Sequence, residues 1–316
     1  TIRNMVIQEA LQISSGTMTF EEPASVETAL PEDTTVDDIP SLDIITEDET
    51  ADPVYDFEEQ PSHRTPPSKG RSSDSWWTDE YNLAKKYLHG DEDTEIPQDL
   101  ERALGLFLAE AENGNPLALC DLGRMSSDGL GCEADSKKAQ QWYAKALAGF
   151  HSAEEEKPWK YAEYRIGKMY AAGLGTEQDY LQAADWLTLS ADENYKYAQY
   201  SLGGLYYHGK GVEQDHGQAF RLYTQAANQG FPYASFELGK MLRDGIGCEE
   251  KQEYSNRRFE EAFRGFTDLE QKSCDDKLQY RLGWMLLNGV GTEKDIPASK
   301  KYFEKAATVG NPFACY

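Results

Sequence analysis

A Leu-Gly dipeptide returns along this chain roughly every forty residues. It occurs at Leu122-Gly123, Leu202-Gly203, Leu238-Gly239 and Leu282-Gly283, with Ile166-Gly167 as a variant and Leu83-Ala84 as a weaker first copy. The steps between these anchors are 39, 44, 36, 36 and 44 residues. A unit of this length is one supersecondary element that cannot bury its apolar face alone, so successive copies must stack. The period therefore predicts an array of repeats rather than a fold built around one central core.

The residues around each anchor repeat as well. An aromatic stands two positions before it in Tyr81, Tyr164, Tyr200, Phe236 and Tyr280, with Cys120 in the second copy. Ala118, Ala162, Ala198 and Ala234 lie four positions before it, and Met125, Met169, Leu205, Met241 and Met285 three after. Apolar residues at that spacing predict a helix, here helix A. Glycine in a helix interior costs about 1 kcal/mol, so its recurrence marks a place where a neighbouring helix must come close.

Helix A runs out at Gly90, Gly129, Gly173, Gly209, Gly245 and Gly289, five of which open a Gly-x-Gly turn. Glycine just past a helix takes the left-handed conformation that other residues resist. Four residues after the second glycine stand Asp135, Asp179, Asp215 and Asp295, and Asp99 precedes helix B in the first copy. Aspartate at that position caps a helix. Asp179 with Gln182, and Asp215 with Gln218, read as capping boxes. The fifth copy has Lys251 instead. Helix B then carries a small residue and a bulky pair, as in Ala103/Leu106-Phe107, Ala139/Trp142-Tyr143 and Ala219/Leu222-Tyr223. It closes on Gly-x-Pro turns at Gly114, Gly230 and Gly310.

This pattern resembles the Sel1-like repeat family, relatives of tetratricopeptide repeats, and the copy over 198–231 matches it almost position for position. The resemblance covers residues 76–316 as six repeats, with a seventh cut off after Ala314-Cys315-Tyr316. It implies an all-α, right-handed α-solenoid whose helices A line a concave surface, and an adaptor or scaffold that binds other proteins. The two 44-residue steps add residues near Gly149–Lys160 and Gly265–Lys277, so helix B or the following loop is longer there.

Residues 1–75 read differently. They carry 17 Asp/Glu against 4 Lys/Arg, and prolines from Pro23 to Pro67 interrupt any helix. Such a segment buries too little apolar surface to offset its ordering entropy, so a mostly disordered acidic linker is expected, with a short helix at 2–12. A motif within it, Asp52–Phe57, is a candidate for docking onto a partner or back onto the array. The first residue is Thr1 and the last copy stops as a further helix A would start, so more chain is expected on both sides. The order of amphipathic helix, acidic linker and repeat array, with Ile7–Glu22 and Tyr164–Asp179, is similar to the C-terminal part of relaxase (mobilisation) proteins of bacterial conjugative elements. That resemblance implies an accessory region and carries no catalytic residue into this chain.

The net charge of −25 disfavours nucleic acid as a partner, because phosphate binding needs a dense basic surface. No run of about 18 apolar residues is present to span a membrane. Five irregularly spaced cysteines do not make a disulfide framework and point to a reducing bacterial cytoplasm. The Gly-x-Gly loops lack a following Lys-Ser/Thr and are followed by acids such as Glu177, Glu213 and Glu293, which repel phosphate. His208 and His216 flank one turn with Asp215, too few ligands for a metal site. Cys132 and Cys248 occupy one turn position that takes Thr or Val elsewhere. A branch of the family associated with β-lactam binding or hydrolysis is rich in paired cysteines, and those pairs and a Ser-x-x-Lys motif are missing here. No enzyme activity and no cofactor are expected.

One stripe remains as a candidate binding face. Four residues after each anchor aromatic, or after Cys120, come Lys85, Arg124, Lys168, Gly204, Lys240 and Trp284, with Arg165, Arg243 and Arg281 nearby. Stacked helices A would present these with Tyr81, Tyr164, Tyr200, Phe236 and Tyr280 as a ladder for an acidic or aromatic peptide. The competing reading pairs each Lys or Arg with a neighbouring acid.

Overall fold

The computed structural model describes residues 76–90, 94–271 and 275–309. The expectations for residues 1–75 and for the truncated seventh copy lie outside the described residues. Twelve α-helices follow one another in six A/B pairs among the described residues. The pairs are α1 (Asp79–His89) with α2 (Leu100–Glu112), α3 (Pro116–Asp128) with α4 (Ser136–Glu156), and α5 (Lys160–Ala172) with α6 (Tyr180–Asp192). They continue as α7 (Lys196–His208) with α8 (His216–Asn228), α9 (Pro232–Asp244) with α10 (Gln252–Glu270), and α11 (Asp276–Asn288) with α12 (Ile296–Val309). Each helix A packs on its pair mate, and each helix B but the last packs also on the first helix of the next pair. The array is an α-solenoid, as the period requires.

Helices A and B are buried to different degrees. In α7 every residue from Tyr197 to Leu205 is buried, which is the pattern of a helix covered all round. In its mate α8 only Ala219, Leu222, Tyr223, Ala226 and Ala227 are buried, a single apolar stripe. The anchor glycine explains why A and B lie so close. A Cβ on Gly203 would stand 2.9 Å from the Tyr223 ring, one on Gly123 2.6 Å from Tyr143, and one on Gly283 2.8 Å from Phe303. The anchor aromatic flanks the same ring: Tyr200 and Tyr223 lie 5.6 Å apart, Tyr280 and Phe303 5.4 Å. The fifth copy hid its equivalent in sequence, because Lys251 and Ser255 replace the cap and the small residue. The ring there is Phe259, 5.5 Å from Phe236 and 2.8 Å from where a Gly239 Cβ would be.

The aspartate caps form as expected. The Asp179 carboxylate accepts the Leu181 and Gln182 N–H groups, and Asp215 accepts from Gln218. Lys251 makes no such bond. The capping boxes are corrected. The N–H that Gln182 or Gln218 would receive is already donated to helix A, from Asp179 to the Tyr170 carbonyl at 2.9 Å and from Asp215 to the Tyr206 carbonyl at 3.0 Å. Asp135, Lys251 and Asp295 make the same backbone bond to Ser126, Leu242 and Leu286. This stitch closes every Gly-x-Gly turn, with or without an acidic side chain.

Both glycines of the turn are needed. Gly209 ends α7 at φ +66 with its N–H on the Leu205 carbonyl. Gly211 sits at φ +70 where a Cβ would meet the Tyr180 backbone at 2.2 Å. The second glycine thus rests on the preceding helix B. Gly131, Gly211 and Gly247 rest on Leu100, Tyr180 and His216, the first residues of α2, α6 and α8. After the long helices the contact moves. Gly175 rests on Tyr143–Ala144 within α4, which has 21 residues, and Gly291 on Phe259–Glu260 within α10, which has 19. The other complete helices B from α2 to α8 have 13. No helix among the described residues is long and apolar enough to cross a membrane.

Candidate protein-interaction surface

The expected ladder separates into two sets of residues. Its aromatic rungs lie inside: Tyr81, Tyr164, Tyr200 and Phe236 are buried, Trp284 is buried with them, and Tyr280 is half-buried. The reason is the cover over this side of helix A, which sets Tyr81, Tyr200, Phe236 and Tyr280 against rings of helix B and Tyr164 against Tyr195 and Tyr197. The basic rungs Lys85, Arg124, Lys168 and Lys240 are half-buried and reach the surface. Gly204 is buried.

Lys85, Arg124 and Lys240 have acidic partners. The Lys85 ammonium lies 3.2 Å from the Asp121 carboxylate, Arg124 reaches the same oxygen at 3.2 Å, and the Tyr81 hydroxyl donates to the other at 2.9 Å. Burial alone would push the Asp121 carboxyl up. Lys85, Arg124 and the Tyr81 hydroxyl outweigh it and hold the group below the ordinary carboxylate value. Burial and the Asp121 charge push the Tyr81 phenol well above its ordinary value. Lys240 pairs with Glu237 at 3.4 Å, and Arg243 with Asp244 at 2.6 Å. Arg165 and Arg281 are buried. Arg165 donates to the Tyr161 hydroxyl at 3.1 Å, and Arg281 lies over the rings of Tyr233, Phe236 and Phe266 at 4.8 to 5.6 Å.

A row of rings at the start of helices A was missed in the sequence. Trp159, Tyr195 and Phe231 take the position where a capping oxygen would stand, and α5, α7 and α9 begin without a side-chain cap bond. Contacts run from Trp76 to Trp159 at 5.2 Å, Trp159 to Tyr161 at 5.0 Å, Tyr195 to Tyr197 at 5.3 Å, Tyr197 to Phe231 at 5.1 Å, and Tyr233 to Phe266 at 4.9 Å. The signal was present as an aromatic-x-Tyr triplet, Trp159-Lys160-Tyr161, Tyr195-Lys196-Tyr197 and Phe231-Pro232-Tyr233. Trp77 and Trp159 are the half-buried end of this row.

Other candidates carry little chemistry. A polar hollow of about 230 Å³ lies between α6 and α8 over Gln199, Leu202 and Tyr206. It has room for one side chain, and Asp192 and Arg221 on its walls oppose each other in charge. His208 and His216 both pack against the Tyr207 ring at 5.0 Å. No group of three or more His, Cys, Asp or Glu among the described residues is placed to hold a metal ion. The Cys132 and Cys248 thiols face the Met125 and Met241 carbonyls within the turn, and burial raises the Cys248 pKa. A raised thiol is the opposite of an activated nucleophile.

A family model agrees with this repeat architecture. A family model described as the Sel1 repeat matches residues 79–115, 116–149, 160–195, 196–231, 232–255 and 277–311. Similar solved structures include a protective antigen present in uropathogenic Escherichia coli strains, 29% identical over 74% of this chain and 46% of that one, with a TM-score of 0.44. A Sel1 repeat protein from Oxalobacter formigenes is 25% identical over 74% of this chain and 73% of its own, with a TM-score of 0.38. An immunity protein from Pseudomonas aeruginosa is 20% identical over 79% and 86%, with a TM-score of 0.44. The chain matches less than half the length of the first of these. Six family matches, covering more than half of the sequence and each opening at the start of a helix A, place this chain in the Sel1 repeat family.

Proposed function

We propose that this array is a scaffold that grips an acidic segment of another protein along the basic rungs of its helices A. Sel1 repeat proteins generally act as protein-interaction scaffolds, and the fold is generally non-catalytic. The observation that carries the finer reading is the recurrence of Lys85, Arg124, Lys168 and Lys240 at one helix-A position in four of six copies of a chain with net charge −25. An acidic partner would compete with Asp121 and Glu237 for these groups, so binding should weaken with salt. The test uses residues 76–316 as bait to capture a partner, followed by affinity measurement with Lys168→Glu/Lys240→Glu. Loss of binding with unchanged helicity and melting supports the reading. Equal affinity overturns it.

Within this proposal the chain itself catalyses nothing, needs no cofactor, binds no nucleic acid directly and works in the bacterial cytoplasm. The alternative of a β-lactam-hydrolysing Sel1 protein has no observation in its favour, and absence of nitrocefin turnover is the expected result. The order expected from the sequence, a short helix, an acidic linker and then the array, supports a role as accessory region of a mobilisation protein. A relaxase domain encoded upstream of Thr1 would support that role, and an unrelated upstream sequence would remove it.

A further inference from the structure

We infer that the junction between the second and third repeats is a pH-responsive clamp, built on the buried Glu163 with Glu154 and Glu193 facing it, that is tightest while Glu163 holds a proton and loosens when the proton leaves. The three carboxyls come from three elements. Glu154 stands in the last turns of the long helix α4, Glu163 on α5, and Glu193 just past the end of α6. Glu154 is tied to the entry of α5, because its Oε2 accepts the Trp159 N–H at 3.0 Å. Glu163 is 4% exposed, and its Oε2 is buried without a hydrogen-bond partner. A buried carboxyl oxygen without a partner is accommodated far better when its group is neutral.

The charged groups around Glu163 explain why the proton stays. Glu154 faces it from α4 and Glu193 from the end of α6, both acidic. On its own helix, the Lys160 ammonium lies over the Tyr195 ring at 5.3 Å, and the Arg165 guanidinium sits on the Tyr161 hydroxyl and over the Phe150 ring at 5.5 Å. Burial, then Glu154 and Glu193, push the Glu163 carboxyl up to about 7.

The next repeat supplies an internal control. Gln199 holds the place of Glu163 on α7, and Gln229 holds that of Glu193, again thirty residues on. The two amides bond at 2.6 Å and share the Asn194 oxygen at 3.0 and 3.3 Å. An amide carries both donor and acceptor at every pH, so that junction has nothing to titrate. The same architecture thus appears once with amides and once with acids.

The sign follows from linkage. The unfolded chain releases the Glu163 proton near the ordinary value of 4.5, and the folded chain near 7. Stability supplied by the protonated cluster is therefore full below about 4.5 and falls as pH rises through about 7. The test compares melting of residues 76–316 as wild type and Glu163→Gln at pH 5 and pH 8. The variant should melt higher than wild type at pH 8 by at least about 3 °C more than any difference at pH 5. A difference that is the same at both values overturns the clamp. Where the variant does not fold, the wild-type Glu163 side-chain carbon is followed by NMR. A midpoint near 7 supports the inference, and one near 4.5 overturns it.

Discussion

The Lys85 ammonium of the first repeat reaches across the repeat boundary to the Asp121 carboxylate of the second, 3.2 Å away. Arg124 approaches that carboxylate from its own helix, and both cations are well shielded, with side chains 14% and 19% exposed. Removing the shared acid leaves two poorly solvated cations beside each other. Asp121→Asn should cost about 3–5 kcal/mol at pH 7, read from the urea midpoint of the first transition. The folded-state pKa of Asp121 is depressed, so its contribution is present above the ordinary value of 3.8 and is lost as pH falls through the lower folded value. The variant's penalty should therefore shrink below about pH 4. A penalty unchanged at pH 3 would contradict the assignment.

Alanine at an anchor glycine sets helix propensity against space. Gly203→Ala gains about 1 kcal/mol of propensity, but its Cβ enters the Tyr223 ring at 2.9 Å. The expected net loss is about 1–3 kcal/mol. Gly105 on α2 is the control, because nothing lies within 4 Å of its Cβ. Gly105→Ala should raise stability by about 0.5–1 kcal/mol. Equal effects at the two sites would remove close approach as the reason for the anchor glycine.

The missing cap of α10 can be restored. Lys251→Asp adds the carboxylate found at the equivalent positions of α4, α6, α8 and α12 without disturbing the Lys251 N–H bond to the Leu242 carbonyl. A gain of about 0.5–2 kcal/mol is expected, measurable as a higher melting temperature. No gain would mean that the backbone stitch already fixes this helix start.

Much of the fold was legible because local rules and repetition agree. The left-handed glycines and the aspartate caps were each read from one residue type at a fixed offset, and the two 44-residue steps marked where helix B or its following loop had to lengthen. The binding stripe was less legible, since a 3.6-residue period marks an apolar face but not how many neighbours cover a helix. Tyr200 sits in α7 between two other repeats, so a residue placed on one face by periodicity is enclosed from several sides. The capping boxes failed for a related reason: Gln182 could be paired with Asp179 in sequence, while the competing Tyr170 carbonyl arrives only once the turn folds back. Phe259 was hidden because Lys251 and Ser255 removed both markers that identify helix B.

The landing places of the second glycines set the pitch of the array. On short helices B the next repeat rests on the first residue, and on α4 and α10 it rests on the eighth. Seven residues make almost two full turns, returning the contact to nearly the same face about 10 Å further along the axis. A lengthened helix B thus acts as a spacer that slides the following repeats without re-aiming them. Inserting or deleting seven residues in such a helix is a way to change the register of a Sel1 array in discrete steps, whereas two or five would turn the docking face away.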